Sequence, residues 1–460
     1  MTPDGPLVLA HAFGERYELP IPLWLFVVGG AAVVLLSFLL VLRRRPVTHP
    51  PIEAPDTVPP APLRPVSALV SIAVLLLVAV VGVSGTQETS DNIAPLAFWV
   101  VFWIAFPLSC GLLGDWTRPW NPFANLARLG DDQRLRTAVL ARKQPLEWGG
   151  LGWWPAVALF VLLVLGELVF NLDATQPAAV GGILLVYAVL SFFLGLLFGP
   201  AWLARGEVFS GLFNAWGRLG WFRFGAPGRR GFAGGLDVPF EASLSRVLFV
   251  LLLLVSINFD GLLATPQWAR YERTALGSDQ AGIELLRTVS LVVLVVVVLA
   301  VFAAFATASA RLGGFPTRPV AALADLLPSL VPIAFGYLVA HYVQYLAVNL
   351  QLLYPLAQNP GFGPSTSTFT PNTTVLPNGV LWYLSVVVIV AVHVVAVVIA
   401  HQHLASRARG ERAALRSEYP WLVAMVAYTA FSLFLIAQPL TEETGTATSV
   451  APHAAESVQQ

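Results

Sequence analysis

The sequence is poor in charge and almost free of cysteine. Only 11% of its 460 residues are Asp, Glu, Lys or Arg, whereas a soluble globular chain carries about 25%. This shortage excludes a soluble enzyme and a disordered chain. Acidic and basic residues balance at 26 each, so no basic face is expected for a nucleic acid. The single cysteine, Cys110, excludes an intrachain disulfide framework and a Cys-based zinc site.

The chain is rich in long apolar runs. Hydrophobic residues make up 57% of it, its mean hydropathy is +0.73, and a helix that crosses a bilayer needs roughly 20 apolar residues. The sequence therefore predicts an all-α, polytopic transmembrane helical bundle over residues 22–440, with the lipid bilayer as its surroundings. Ten runs have the required length: 22–42, 67–86, 94–114, 150–171, 179–204, 244–264, 284–310, 322–350, 379–403 and 419–440.

The basic residues are sorted between the two sides of the membrane. With ten spans, 21 of the 26 Lys and Arg residues fall in alternate connecting segments, and Arg246 just inside the sixth span makes 22 on that side, which the positive-inside rule places in the cytoplasm. Both termini are then on the outer face. Residues 1–21 form an external N-terminal segment, and residues 441–460 form a disordered external tail. The Pro-rich stretch 46–65 is predicted to be a cytoplasmic linker.

Two inner connections begin alike. Phe, Arg, Leu and Gly coincide between residues 121–130 and 211–220 at a shift of 90 residues. The coincidence suggests a parallel two-helix repeat near 91–180 and 181–270, with chance similarity as the alternative. The stretch 206–224 has apolar residues at helical spacing and arginines at its boundary, which predicts a helix lying in the inner membrane interface.

Few ionisable side chains lie within the predicted spans. They are Glu167 and Asp260 near the outer ends of the fourth and sixth spans, His341 in the eighth, and His393 and His401 in the ninth. An ionisable group at membrane depth is costly and therefore marks a functional site or a buried pair.

A polar stripe runs along the eighth span. Tyr337, His341, Gln344 and Tyr345 recur at steps of three and four residues, and Asn349 extends the series outward. Residues at this spacing share one helix face. The stripe is expected to line a pathway, or to form a hydrogen-bonded packing seam.

The histidines allow two kinds of site. His341 and His393 could bind a divalent metal, with Glu167 or Asp260 completing the site. His401 lies eight residues beyond His393, about 12 Å along a helix, so these two cannot share one ion.

A proton relay is the second kind of site. His341, His393 and His401 occupy outer, middle and inner levels, where waters or Tyr337 and Tyr345 would bridge gaps of about 10 Å. Ordinary buried histidines with satisfied hydrogen bonds are the alternative to both.

Several fragments of the sequence form a recognisable set. They are the opening His11-Ala-Phe-Gly-Glu-Arg-Tyr-Glu-Leu-Pro-Ile-Pro-Leu, Gly114-Asp115, Trp120-Asn121-Pro122, Phe259-Asp260-Gly261 with Thr265-Pro266 and Trp268, His341-Tyr342, and His393 with Ala400-His401. These fragments resemble bacterial polytopic membrane proteins labelled as fenitrothion hydrolases. The resemblance implies a bacterial inner-membrane location and the hydrolysis of an organophosphate ester. One position departs from the family pattern, which has Asp where this chain has Gln402.

The sequence leaves two main functions open. In a hydrolase, His341 or His393 with Asp260 or Glu167 would activate a water for a small-molecule substrate, directly or through a divalent metal. In a transporter, the same groups would form a proton-coupled, metal or small-solute pathway with His401 at its inner end. The chain contains no Walker loop, no His-Glu-x-x-His and no Gly-x-Ser-x-Gly motif. A structural or assembly partner is the third possibility.

Overall fold

The computed structural model describes residues 54–363 and 369–437, together with Ile52 and five isolated positions between 28 and 36. The predicted first span, the external segment 1–21 and the tail 441–460 therefore lie essentially outside the described residues. Within the described ranges every regular element is a helix. The principal helices are α1 Pro65–Ser84, α2 Ile93–Leu113, α3 Pro122–Gly130, α4 Gln133–Leu140, α5 Trp154–Leu168, α6 Pro177–Phe198, α7 Val208–Gly217, α8 Leu244–Leu263, α9 Pro266–Leu276, α10 Gln280–Leu312, α11 Pro319–Asn349, α12 Asn378–Arg407 and α13 Glu411–Ala437.

Eight of these helices are long and apolar enough to cross a membrane: α1, α2, α6, α8, α10, α11, α12 and α13. They coincide with eight of the ten predicted runs, so the all-helical, multi-pass architecture is confirmed. The predicted span 150–171 is the shorter helix α5, whose 15 residues extend only about 22 Å. The count of ten spans and the orientation of the termini stay predictions. Below, "outer" and "inner" refer to the predicted topology.

Helices α8 and α11 form the centre of the bundle. In the most apolar 18-residue stretch of each helix, 78% of the residues of α8 and 89% of those of α11 are buried, compared with 17% of those of α10. A helix as exposed and apolar as α10 is suited to contact with lipid. Helix α11 packs closely against α12 and α8, and it continues through Pro328 and Pro332, both of which are buried. The predicted polar stripe on α11 thus lies at the centre, with Tyr337, His341 and Gln344 buried.

Helices α3 and α7 are short and begin at mid-depth. Glu207, the residue before α7, bonds the hydroxyl of Tyr187, which is the eleventh of the 22 residues of α6. All ten residues of α7 are buried. The prediction that residues 206–224 lie in the inner interface is therefore wrong for residues 206–220, which are all buried, whereas Trp221, Phe222 and Phe224 are exposed. The arginines that suggested it lie before and after α7 rather than along it, so the helix carries no charge that would hold it at the surface.

Helices α3 and α7 begin in the same way, each capped by a side chain of the residue that precedes it. Asn121 caps α3 and Glu207 caps α7 with side-chain oxygens. These two caps are 86 residues apart, whereas the predicted shift of 90 places Asn121 opposite Gly211, inside α7. The two-helix repeat itself stays a prediction.

The Pro-rich stretch 46–65 packs against the bundle from residue 54 onward. Asp56 is buried and pairs with Arg218 and with Arg246, whose Nε lies 2.8 Å from Oδ2. Burial raises the pKa of Asp56, but the two guanidinium groups outweigh it and hold the pKa at about 2, below the usual 3.8. The prediction of a linker is thus wrong for this part, because a buried ion pair fixes it to the inner ends of α7 and α8.

Replacing Asp56 by Asn is expected to lower the free energy of unfolding by about 3–5 kcal/mol, because two buried guanidinium groups lose their counter-ion. A carboxyl whose folded pKa is depressed stabilises the fold above its unfolded pKa. The wild type should therefore lose this stability as the pH falls from about 3.8 through about 2, and the variant should lack this acid-sensitive part. Unfolding in detergent at graded pH measures both effects.

Glu241 provides the matched control. It pairs with Arg205 at 3.2 Å on the same side of the protein, but both side chains are about one-third exposed. Glu241→Gln should therefore change the free energy of unfolding by less than about 1 kcal/mol. Equal losses in the two variants would contradict the assigned role of Asp56.

Candidate functional site

The central feature of the bundle is a carboxylate shared by two neighbouring residues of α11. Asp260 lies three residues before the outer end of α8 and is buried. Its Oδ2 atom is 2.7 Å from Nε2 of His341 and accepts a hydrogen bond of 2.7 Å from the hydroxyl of Tyr342. One oxygen of α8 thus holds both an imidazole and a phenol of α11.

Glu167 extends this group from α5. Its Oε1 atom is 3.4 Å from the Tyr342 hydroxyl. Tyr342 has a single hydroxyl hydrogen, which the shorter distance assigns to Asp260. We call Glu167, Asp260, His341 and Tyr342 the outer cluster. The cluster thus brings two carboxyl groups and an imidazole together at membrane depth, where ionisable groups are costly.

A small cavity adjoins the outer cluster. It has a volume of about 40 Å³, and its lining includes Glu167, Tyr342, Ser256 and Trp216. A water molecule requires about 10–15 Å³ of such space and two or more polar partners. The cavity can therefore hold one or a few waters next to Glu167 and Tyr342.

The predicted polar stripe on α11 continues inward from the cluster through Tyr337. Its ring stacks parallel to that of His341, with 6.2 Å between the centroids and 8° between the planes. Its hydroxyl lies 2.7 Å from the position where a Cβ atom of residue 261 would sit. Gly261 thus makes room for a phenol beside Asp260.

The outer part of the stripe meets an outer connection. The Gln344 side chain donates to the carbonyl of Thr373 at 2.7 Å, whereas Asn349 donates to Tyr345 of its own helix at 2.8 Å. The Tyr345 ring is 6.2 Å from that of Tyr342. His341 and Gln344 are buried, so this part of the stripe faces protein.

His393 lies at the middle of α12 and bonds α13. Its Nδ1 atom is 2.7 Å from the Ile389 carbonyl, and its Nε2 atom is 2.6 Å from the Thr429 hydroxyl. A carbonyl only accepts, so Nδ1 carries a hydrogen, and in the neutral ring Nε2 accepts from Thr429. The Thr429 hydroxyl is also 2.7 Å from the Met425 carbonyl. It can therefore turn to Met425 when Nε2 takes up a proton.

His401 forms the inner pair. Its Nδ1 atom is 2.8 Å from Oε1 of Glu418 on α13, and both side chains are buried. Nearer the inner end, Arg407 and Asp325 form an ion pair at 2.7 Å. The inner level thus carries a second histidine–carboxylate pair, formed by α12 and α13.

The three histidines lie at separate levels. Gly336 of α11 packs directly against the side chain of Val392 of α12, which fixes the register of these antiparallel helices. From that level His341 lies five residues outward and His393 one residue inward, a separation of about 9 Å along the membrane normal. His401 lies about 12 Å further inward. The structure therefore brings Glu167, Asp260 and His341 together but leaves His393 and His401 apart from them.

The described part of the structure does not bring together a set of ligands for a divalent metal. Both ring nitrogens of His393 are engaged by Thr429 and Ile389. Among the residues that the structure describes, no group of three or more His, Cys, Asp or Glu side chains could hold a metal ion. Metal binding by His341 and His393 stays a prediction and is not used below.

Glu207 is a functional candidate that the sequence did not reveal. Its two carboxylate oxygens accept hydrogen bonds from the side chains of Asn121, Tyr187 and Ser210 and from backbone N–H groups at the start of α7. Two helix N-termini thus meet a carboxylate at mid-depth. One sequence signal could have indicated this arrangement: Asn121 followed by Pro122 is a pattern typical of a helix start, here within a segment that was assigned to a connection between spans.

Comparison with family models, with characterised proteins and with solved structures finds no match for this chain. The resemblance to fenitrothion hydrolases therefore stays an expectation. The function has to be argued from the geometry of the outer cluster and of the histidine pairs.

Proposed function

We propose that this integral membrane protein is a proton-coupled transporter. The observation that carries the proposal is the placement of three buried histidines at outer, middle and inner levels, each with a side-chain partner on another helix. The partners are Asp260, Thr429 and Glu418. Ionisable groups in series at membrane depth are characteristic of proton relays in pumps and transporters.

A proton would move inward by steps between these levels. The outer cluster takes it up, and the adjoining cavity holds water near Glu167 and Tyr342. The gap to His393 contains polar groups of α8 and α13: Asn258 bonds Tyr428 and accepts from Ser432 at 3.2 Å. Water molecules would be needed both between the outer cluster and His393 and between His393 and His401, since direct proton transfer requires heavy atoms about 2.6–3.2 Å apart.

Hydrolysis is the second candidate, because of the contact between His341 and Asp260. A histidine oriented by a carboxylate at 2.7 Å has the arrangement of a general base. The adjoining cavity of about 40 Å³, however, is far smaller than the 300–1,000 Å³ typical of sites for drug-sized ligands. A cavity of this size can accommodate water but not a phosphotriester, which favours proton transfer over hydrolysis.

Reconstitution into liposomes distinguishes the two functions. The purified protein would be assayed for proton uptake under a potassium diffusion potential, with a trapped pH-sensitive dye, and for cleavage of a fenitrothion-type ester. Proton uptake well above that of protein-free liposomes, without cleavage, supports the proposal. Cleavage that requires His341, with no proton uptake, would overturn it in favour of the hydrolase.

Thr429→Val should lower proton uptake about tenfold or more. Valine has nearly the same shape but lacks the hydroxyl that bonds His393, so the middle step loses its partner, and positioned proton-transfer groups contribute factors of about 10²–10⁴. The measurement is the initial rate of uptake in the same liposomes.

Thr307→Val is the matched control. Thr307 lies in α10 and, within the part of the chain that the structure describes, its hydroxyl bonds only the carbonyl of Ala303 in its own helix, at 2.6 Å. Uptake by this variant should equal that of the wild type. Wild-type uptake by Thr429→Val would show that the middle level takes no part.

A further inference from the structure

Three buried polar atoms at the inner level have no hydrogen-bond partner among the residues that the structure describes. They are Nε2 of His401, Oε2 of Glu418 and Oδ2 of Asp325. His401 and Glu418 are 6% and 1% exposed, and the contact between them uses only Nδ1 and Oε1. Buried polar atoms are almost always satisfied in native proteins, and the exceptions commonly serve catalysis or bind water. Each of these three side chains therefore has an atom that can exchange a proton.

Asp325 lies at nearly the same depth as His401. The contact between Gly336 of α11 and Val392 of α12 places His401 opposite position 327 of α11, because the two helices are antiparallel. Asp325 is two residues further inward, a difference of about 3 Å along the helix axis. The two side chains thus belong to one level of the bundle.

Asp325 and Glu418 lie on helix faces that approach each other. Ser329, four residues further along the same face of α11, accepts a hydrogen bond of 3.0 Å from Nε1 of Trp421 on α13. Glu418 precedes Trp421 by three residues and shares its face of α13. Both carboxyl groups are therefore about one helical turn inward of a single contact between α11 and α13.

Asp325 also contacts a residue at the inner surface. Its Oδ1 atom is 2.7 Å from Nη2 of Arg407 on α12. The exposed fraction of the side chain falls from 45% at Arg407 to 14% at Asp325 and 1% at Glu418. Asp325 is thus a partly exposed carboxyl group between the buried pair of His401 and Glu418 and the inner aqueous phase.

We propose that Asp325 is the group through which protons leave the pathway, an inference that rests on the proposed transport function. A proton on His401 leaves from Nε2, passes through water to Oδ2 of Asp325, and is then released to bulk water beside Arg407. His401 is left neutral, with its Nδ1 hydrogen toward Glu418. Asp325 is left as a carboxylate paired with Arg407, so every proton that reaches this level leaves it and both groups return to their starting state.

Replacing Asp325 by Asn should lower the initial rate of proton uptake by liposomes at least tenfold. Asparagine keeps the size of the side chain but cannot take up or release a proton, and positioned proton-transfer groups contribute factors of about 10²–10⁴. Asp325→Glu keeps the carboxyl group and should retain more than about one third of the wild-type rate. Glu411→Gln is the control, because Glu411 is an exposed carboxylate at the inner end of α13; its uptake should equal that of the wild type.

The double variant Asp325→Asn/Arg407→Gln separates proton transfer from a purely structural ion pair. It removes both charges, so no unpaired guanidinium remains, and its thermal unfolding in detergent should resemble that of the wild type. Its proton uptake should nevertheless stay as low as that of Asp325→Asn. Wild-type uptake by Asp325→Asn, or uptake restored in the double variant, would overturn the role of Asp325 while leaving the proposed transport intact. A wild-type protein without proton uptake would overturn both.

Discussion

Replacing Asp260 by Asn is expected to reduce proton uptake by reconstituted protein about 100-fold or more. Asparagine keeps the size of the side chain and an oxygen that accepts from Tyr342. It cannot take up or release a proton, so the outer cluster loses the group that both His341 and Tyr342 contact. Removing a positioned proton-transfer group costs factors of about 10²–10⁴. The initial rate of uptake under an imposed potential measures the effect.

Asp279→Asn is the matched control, because Asp279 is an exposed carboxylate on the same side of the protein. It should leave uptake at the wild-type rate. The thermal unfolding of Asp260→Asn in detergent shows whether the variant is folded. A folded Asp260→Asn protein with more than half of the wild-type rate would remove Asp260 from the pathway.

Replacing Glu207 by Ala should lower the free energy of unfolding by about 3–5 kcal/mol. The carboxylate accepts from Asn121, Tyr187 and Ser210 and from two backbone N–H groups, all at mid-depth. Each buried donor left without an acceptor costs about 1–3 kcal/mol, and α7 also loses its N-cap. Relaxation of the neighbours keeps the total below the sum of these costs. Unfolding in detergent by heat or denaturant measures it.

Two further variants serve as comparisons for that result: Glu207→Gln is an intermediate case and Glu88→Ala is the control. Glutamine retains one acceptor oxygen but turns an amide N–H group toward donors, so its cost should be intermediate, about 1–3 kcal/mol. Glu88 is exposed and its side chain caps no helix, so its loss should be within about 0.5 kcal/mol. If Glu207→Ala were as stable as Glu88→Ala, the junction of α3 and α7 would not depend on this carboxylate.

Much of the fold and of the outer cluster follows from the pattern of the sequence. Apolar runs of the right length predict the spanning helices, because the bilayer fixes both length and polarity. The scarcity of ionisable groups within those runs singles out Glu167, Asp260 and His341, which the structure brings together. Tyr342 was missed, because the three- and four-residue spacing selects Tyr337 and Tyr345 of the same helix. Which tyrosine of α11 reaches Asp260 depends on how α8 crosses α11. This crossing is a tertiary feature that residue spacing does not reveal.

Other features required the tertiary structure. Glu418 was assigned to an inner connection, since the apolar run begins at residue 419, whereas α13 begins at Glu411; the partner of His401 was therefore missed. Glu207 was missed for a similar reason. A short helix that begins at mid-depth has the same composition as one lying at the interface, and only its neighbours on α6 distinguish the two.

Proton transfer through the centre of the bundle is tested most directly by the proton current of reconstituted protein under an imposed membrane potential. We expect a wild-type current whose reversal potential follows the pH gradient. The current should be nearly absent in Asp260→Asn, strongly reduced in Thr429→Val, and unchanged in Asp279→Asn and Thr307→Val. A wild-type current no larger than that of protein-free bilayers, or an undiminished current in Asp260→Asn, would contradict the proposed pathway.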